Sequence, residues 1–234
     1  MSVPALVAVA HGTRDPAGPA TVRALLDRVR ALRPRLPVAE AYAELAEPAL
    51  EEAVRAARGP VVVVPLLLAR GYHALVDLPG RAERARPDAV MARPLGPHRM
   101  LAATLAARLE EAAPTGGDAV VLGAAGSSDP AGVHDVRTAA RLLARRLRRP
   151  VPCGFVAAGG PALGDVVAER RARGAARVVV ASYLLAPGFF HDRMAASGAD
   201  RVSAPLGAHE AVARLVLHRY DEARVRLLGA VPVA

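Results

Sequence analysis

The chain has 234 residues, a mass of 24.2 kDa and a formal net charge of +9, and at roughly 100–200 residues per domain this means one large or two small domains. With 53% hydrophobic and 23% charged residues, it has the profile of a folded globular protein and excludes a disordered one. No stretch of about 18 or more uncharged apolar residues is present, so no membrane helix is expected. The apolar start Val3–Ala10 has no basic region before it and runs at once into Arg14 and Asp15, unlike a signal peptide, and a cytoplasmic protein is the expectation. The one cysteine, Cys153, excludes an internal disulfide and a multi-cysteine metal cluster. All 31 basic residues are arginine. With 3% aromatic residues and no tryptophan, base stacking is unsupported and no nucleic-acid partner is expected. Arginine forks suit the carboxylates or phosphates of an acidic small molecule instead.

In chain order, the continuous apolar run Val3–Ala10 predicts a buried strand. The spacing of Val22, Leu25, Leu26 and Val29 predicts a helix over Gly18–Leu32. A short strand follows at Val38–Ala43, then a helix over Pro48–Arg58 that Gly59-Pro60 stops. Val61–Leu68 is β-branched, wholly apolar and the clearest strand. A short helix at Arg81–Ala85, a short strand at Ala89–Met91 and a helix over Pro97–Ala112 close the series. Turn residues then occupy Ala113–Asp118. A second series follows, with strands at Ala119–Ala124, Val151–Ala157 and Arg177–Leu185 and helices at Val133–Arg148, Ala162–Arg173 and Ala208–Leu228.

The second series repeats the first. With Gly12 set on Gly126, the run G-x-x-D-P-A-G recurs at an offset of 114. PVAEAYAELAEPALEEAV (37–54) parallels PVPCGFVAAGGPALGDVV (150–167), VVVVPLLLARGYH parallels VVVASYLLAPGFFH, and PLGPH parallels PLGAH. Matched blocks in one order indicate duplication. The fold class is therefore α/β, with two homologous domains at 1–114 and 115–234. Each is a small parallel sheet flanked by helices, and a cleft lies between them.

Ligands of such sheets sit beyond the carboxyl ends of the strands. His11, Glu44 and His73 each follow a predicted strand of the first half. If those strands are neighbours, two imidazoles and a carboxylate converge, a set suited to a first-row divalent metal and to general base work. The second half has Ala125, Ala157 and Phe190 at the matched positions, so these residues serve chemistry rather than the scaffold. His98 and His209 occur in both halves and read as structural; His134 and His218 read as solvent-facing or packing residues. His191, in GFFHDR, falls near a predicted strand end and could face the same cleft. The amides after Gly126 could bind an anion at a helix start. The Asp15-Pro16 and Asp129-Pro130 pairs read as turns into helices.

These motifs resemble sirohydrochlorin chelatases of the CbiX/SirB type. AHGTRDPAG (10–18) is similar to their HGSRDP segment, with Thr13 where Ser is common. AYAELAEPAL (41–50) resembles their glutamate-bearing strand, and PLLLARGYHALVDLP (65–79) their second histidine segment. The resemblance covers nearly all of the first half and, more weakly, the second. It implies ATP-independent insertion of Co²⁺ or Fe²⁺ into sirohydrochlorin, for cobalamin or sirohaem synthesis, with Ni²⁺ compatible with the same donors and no organic cofactor. It implies a macrocycle bound between chelatase-like domains, and His11, Glu44 and His73 as metal-holding and catalytic residues. Arg14, Arg70, Arg193 and His191 are the candidates for the polycarboxylate substrate. A duplicated chain can be a monomer or a homodimer. A metal or tetrapyrrole carrier without turnover would use the same residues. Phosphohistidine chemistry fits less well, because the position before His11-Gly12 is Ala10 rather than arginine.

Overall fold

The computed structural model describes residues 3–71, 76–112 and 118–229. In the first half the elements are β1 (Ala5–Ala10), α1 (Ala17–Leu32), β2 (Val38–Tyr42), α2 (Leu50–Ala56), β3 (Val61–Pro65), α3 (Leu78–Ala85), β4 (Val90–Met91) and α4 (Arg99–Ala112). In the second half they are β5 (Ala119–Ala124), α5 (Pro130–Leu147), β6 (Cys153–Phe155), α6 (Leu163–Ala172), β7 (Val178–Tyr183), α7 (Phe189–Ala195), β8 (Arg201–Val202) and α8 (Glu210–Gly229). Two four-stranded parallel sheets result, ordered β2-β1-β3-β4 and β6-β5-β7-β8. The registers repeat as well: Ala8 pairs with Glu40 where Leu122 pairs with Cys153, at offsets of 114 and 113.

β1 is buried at every residue because β2 and β3 flank it and helices cover both faces. Its alternate side chains enter different cores. Val7 and Val9 meet Leu50 and Val54 of α2 and Leu78 of α3 on the outer face. On the second half's outer face, Val121, Val178 and Val180 meet α6 and Met194 of α7. Leu6, Ala8 and Ala10 point to the inner face, and there the halves share one core with Leu101 and Leu105 of α4, Val136 and Leu143 of α5, and Val212 and Leu215 of α8.

The last helix of each half crosses over. α4 packs on α5 and β7 of the second half, whereas α8 packs on α1, β3 and β4 of the first. Tyr220 Oη of α8 donates to the Pro4 carbonyl at 2.7 Å, and Arg33 forks onto Asp221 at 2.7 and 2.8 Å. The halves are thus separate in sequence but interlocked in packing.

Both copies of G-[ST]-x-D-P-A-G build the same helix entry. Thr13 Oγ1 and Ser127 Oγ accept from the amides of Asp15 and Asp129, and those carboxylates accept from Ala17 and Ala131. The motif's last glycine is needed because a Cβ at Gly18 or Gly132 would lie 2.1 Å from Thr13 or 2.6 Å from Ser127. The Ser127 amide, open to an anion in the sequence reading, is instead taken by the Ala158 carbonyl at 3.0 Å. His98 and His209 cap α4 and α8: each Nδ1 accepts a backbone N–H, from Met100 at 3.3 Å and Ala211 at 3.1 Å. Burial, followed by Arg219 for His98 and Arg108 for His209, holds both imidazoles below their ordinary pKa. His134 and His218 are exposed, as expected.

Two elements escaped the sequence reading. Leu184–Phe190 reads as an apolar loop, but Phe189 opens α7, which Gly188 starts at φ +138°. β8 is two residues long, too short for a periodic signal.

Candidate functional site

The strands bearing His11, Glu44 and the Leu66–Gly71 segment are neighbours, with β1 between β2 and β3. The main chain ties the first two strand ends together: the Glu44 N–H donates to the His11 carbonyl at 2.9 Å. Gly12 makes this approach possible. Its φ is +98°, and a Cβ there would sit 1.7 Å from the Glu44 carbonyl oxygen. The second half keeps the link as Ala157 N–H to Ala125 carbonyl, also 2.9 Å. The scaffold contact is therefore duplicated while the imidazole and carboxylate occur on one side alone. Both His11 and Glu44 are exposed. His73 lies outside the described residues, and among those described no group of three His, Cys, Asp or Glu side chains is gathered tightly enough to hold a metal ion.

Arg81 braces this strand end from behind and has no signal in the sequence. Its Nη1 donates to the Ala43 carbonyl at 2.8 Å, and its Nε and Nη2 fork onto Glu51 at 2.6 and 2.9 Å. That fork pulls the Glu51 carboxyl down to about 2.

His11 opens onto a cleft of about 420 Å³ between the halves. Thr13, Tyr42 and Leu45 line the first-half wall, and Leu184–His191 line the other. Glu44 does not line this cleft; its neighbour Leu45 does. Leu45 is held at φ +59°, a region L residues avoid at a cost of about 1–2 kcal/mol, and it is 54% exposed. Phe189 and Phe190 on the facing wall are 64% and 37% exposed and meet edge to face at 5.4 Å. Exposed apolar side chains converging on one cleft mark a surface for an apolar ligand face.

The remaining candidates separate. His191 lines the cleft from within α7, not from a strand end, and its Nε2 lies 3.1 Å from the Ser203 carbonyl, which can only accept. Arg14 is exposed in the turn that follows His11. Arg193 stacks over the Phe189 ring at 5.6 Å and borders a different depression, beside Phe155 and Leu163. Arg70 is engaged across the halves with Asp135 at 2.8 Å, so its guanidinium has a protein carboxylate as partner.

A model of the CbiX family matches residues 5–112 and again 119–223. The chain belongs to the CbiX family. SirB from Bacillus subtilis with Fe³⁺ superposes with a TM-score of 0.83 at 26% identity, over 97% of this chain and 98% of that one. The sirohydrochlorin chelatase SirB from Bacillus subtilis subspecies spizizenii, in complex with cobalt, gives 0.77 at 25% identity over 97% and 98%. CbiX, described as the terminal enzyme for biosynthesis of siroheme in denitrifying bacteria, gives 0.71 at 26% identity over 94% and 99%. The search of curated proteins gave no match. Two copies of the CbiX model on one chain agree with the two sheets, and among the described residues no helix is long and apolar enough to cross a membrane.

Proposed function

We propose that the protein is a sirohydrochlorin chelatase that inserts Co²⁺ or Fe²⁺ into its macrocycle without ATP, with His11, Glu44 and His73 holding the incoming metal. The observation that carries this is the asymmetry of the duplicated strand ends: the same backbone link joins His11 to Glu44 in one half and Ala125 to Ala157 in the other. Membership of the CbiX family supports it, as do the similar structures with Fe³⁺ and cobalt.

Insertion requires the metal to exchange water and protein ligands for pyrrole nitrogens, while two pyrrole N–H protons depart. Nitrogen and oxygen donors suit these borderline metals, and few protein ligands leave positions open for the macrocycle. A neutral imidazole can carry the metal or take a departing proton, and the Glu44 carboxylate offsets the dication's charge. Leu45, Phe189 and Phe190 offer apolar surface to the macrocycle's face. Arg14, exposed in the turn after His11, and His191, which lines the cleft, remain the candidates for its carboxylates, whereas Arg70 and Arg193 have other partners.

The test is anaerobic absorbance spectroscopy of the protein with sirohydrochlorin and either Co²⁺ or Fe²⁺, against the His11→Ala/His73→Ala variant. The metallated spectrum should form faster with the wild type than with the variant. Macrocycle binding with no faster insertion would replace the enzyme by a carrier. Absence of macrocycle binding would overturn the substrate.

A further inference from the structure

The interface between the halves is pseudo-symmetric at the turns. Gly188 faces Thr13 of the first half and its counterpart Gly71 faces Ser127 of the second: a Cβ would lie 3.4 Å from Thr13 Oγ1 and 3.7 Å from Ser127 Oγ, at ordinary contact distance. The symmetry breaks next to Gly71. Asp135, on α5, is 2% exposed, yet its carboxylate accepts the Arg70 backbone N–H at 2.8 Å. It also accepts Arg70 Nε at 3.0 and 3.2 Å and Nη2 at 2.8 Å. One buried side chain thus holds both the main chain and the side chain of residue 70. The counterparts cannot repeat this: Thr21 matches Asp135 and bonds within its own helix, to the Ala17 carbonyl, and Pro187 matches Arg70.

A second contact runs the same way. Tyr183 Oη donates to the Leu68 carbonyl at 2.8 Å from a side chain that is 2% exposed. Its counterpart is Leu66, which has no hydroxyl. Gly96 leaves the space, since a Cβ there would lie 2.0 Å from the Leu68 oxygen and 2.3 Å from the tyrosine hydroxyl. Gly132 likewise lets α5 approach, its absent Cβ being 2.6 Å from the Arg70 carbonyl. All these contacts grip Leu68–Gly71, the segment after β3 from which the sequence runs on to His73. The shared apolar core already joins the halves, so a buried carboxylate is not needed for adhesion.

We propose that Asp135, assisted by Tyr183, is a positioning residue by which the second half holds Leu68–Gly71, the segment that leads to His73, and thereby supports metal holding by the first half. This rests on the reading of His73 as a metal-holding residue. It gives the half that lacks the ligands a role in metal delivery rather than in walling the cleft alone. Leu68–Gly71 is anchored from outside its own sheet, the kind of support on which a site of fixed geometry depends.

The experiment uses the full chain, with Asp135→Asn, Tyr183→Phe and His73→Ala alone and Asp135→Asn combined with His73→Ala. Co²⁺ without macrocycle is titrated calorimetrically, insertion kinetics are resolved into kcat and KM, and thermal unfolding sets a working temperature below every transition. Asp135→Asn should weaken Co²⁺ binding about tenfold and lower kcat, with KM for the macrocycle changed less than twofold. Tyr183→Phe, which leaves the ion pair whole, should shift both in the same direction by less. In the His73→Ala background, Asp135→Asn should add nothing to the Co²⁺ affinity. Wild-type Co²⁺ affinity and kcat in both Asp135→Asn and Tyr183→Phe would overturn the proposal. So would an undiminished effect in the His73→Ala background, or a rise in KM alone, which would assign Arg70 to the substrate. Wild-type Co²⁺ binding by His73→Ala would overturn the ligand reading itself, and this proposal with it.

Discussion

Gly12→Ala separates two costs that usually come together, because Gly174 provides a control. Both glycines have positive φ, +98° and +88°. An alanine in such a conformation costs about 1–2 kcal/mol from Cβ–carbonyl crowding in its own residue. At Gly174, after α6, a Cβ meets nothing within 4 Å, so that cost is the whole expected effect. At Gly12 the Cβ would stand 1.7 Å from the Glu44 oxygen and 2.8 Å from its carbon, far inside the 3.0 Å that real Cβ atoms keep. The turn and the β2 end must separate, and the Glu44 N–H to His11 carbonyl bond at 2.9 Å is the contact that yields. A lost bond that leaves a partner unsatisfied adds about 1–3 kcal/mol. Gly12→Ala should therefore destabilise by about 2–5 kcal/mol and Gly174→Ala by about 1–2 kcal/mol. At about 2–4 °C per kcal/mol for a chain of this size, calorimetry resolves the difference. Co²⁺ titration of the folded variants should show weakened binding for Gly12→Ala and none of that loss for Gly174→Ala. Equal destabilisation, or unchanged Co²⁺ affinity in Gly12→Ala, would refute the claim that close packing of the strand ends sets the site.

Other outcomes follow from the same structure. The His98 and His209 caps work through a neutral Nδ1, and burial lowers both folded-state pKa values below an unfolded value of about 6.5. The folded protein then binds fewer protons than the unfolded chain, so their contribution is complete above about pH 6.5 and is lost as pH falls through the lower folded values. Urea unfolding at pH 8 and pH 5.5 should show a larger acid loss for the wild type than for His98→Asn/His209→Asn, which keeps caps that do not titrate; equal losses would remove the caps as the cause. Leu45→Gly relieves a strained backbone but deletes an exposed apolar contact of the cleft. Its melting temperature should hold or rise slightly, the relief of about 1–2 kcal/mol being partly offset by glycine's unfolded-state entropy. KM for the macrocycle should rise; an unchanged KM would take Leu45 out of the substrate surface.

Much of the architecture was legible because its signals are local. Val3–Ala10 and Val61–Leu68 are apolar throughout, as only strands covered on both faces need to be. The matched blocks revealed the duplication, and the alanines at 125 and 157 singled out His11 and Glu44 against an internal control. The histidines present in both copies, His98 and His209, read as structural for the same reason, and they cap helices. α7 was missed because its Phe189–Ala195 segment is only seven residues long and continues the apolar stretch Leu184–Pro187 after β7. Arg70 and Arg193 read as substrate residues because a charged side chain near a strand end carries no mark of its partner. Asp135, one helix of the other half away, could not be paired with Arg70 from a separation of 65 residues.

Two parallel sheets, their repeat and the residues that distinguish one copy from the other are legible along the chain, since periodicity and internal alignment depend on neighbours in sequence. Three-dimensional packing settles which half each helix serves. α4 and α8 cross to the opposite sheet because the apolar inner faces of both sheets are buried most completely against helices shared between them. It also settles which charges are committed to the protein, for a guanidinium's partner is set by packing across the interface and not by distance along the chain.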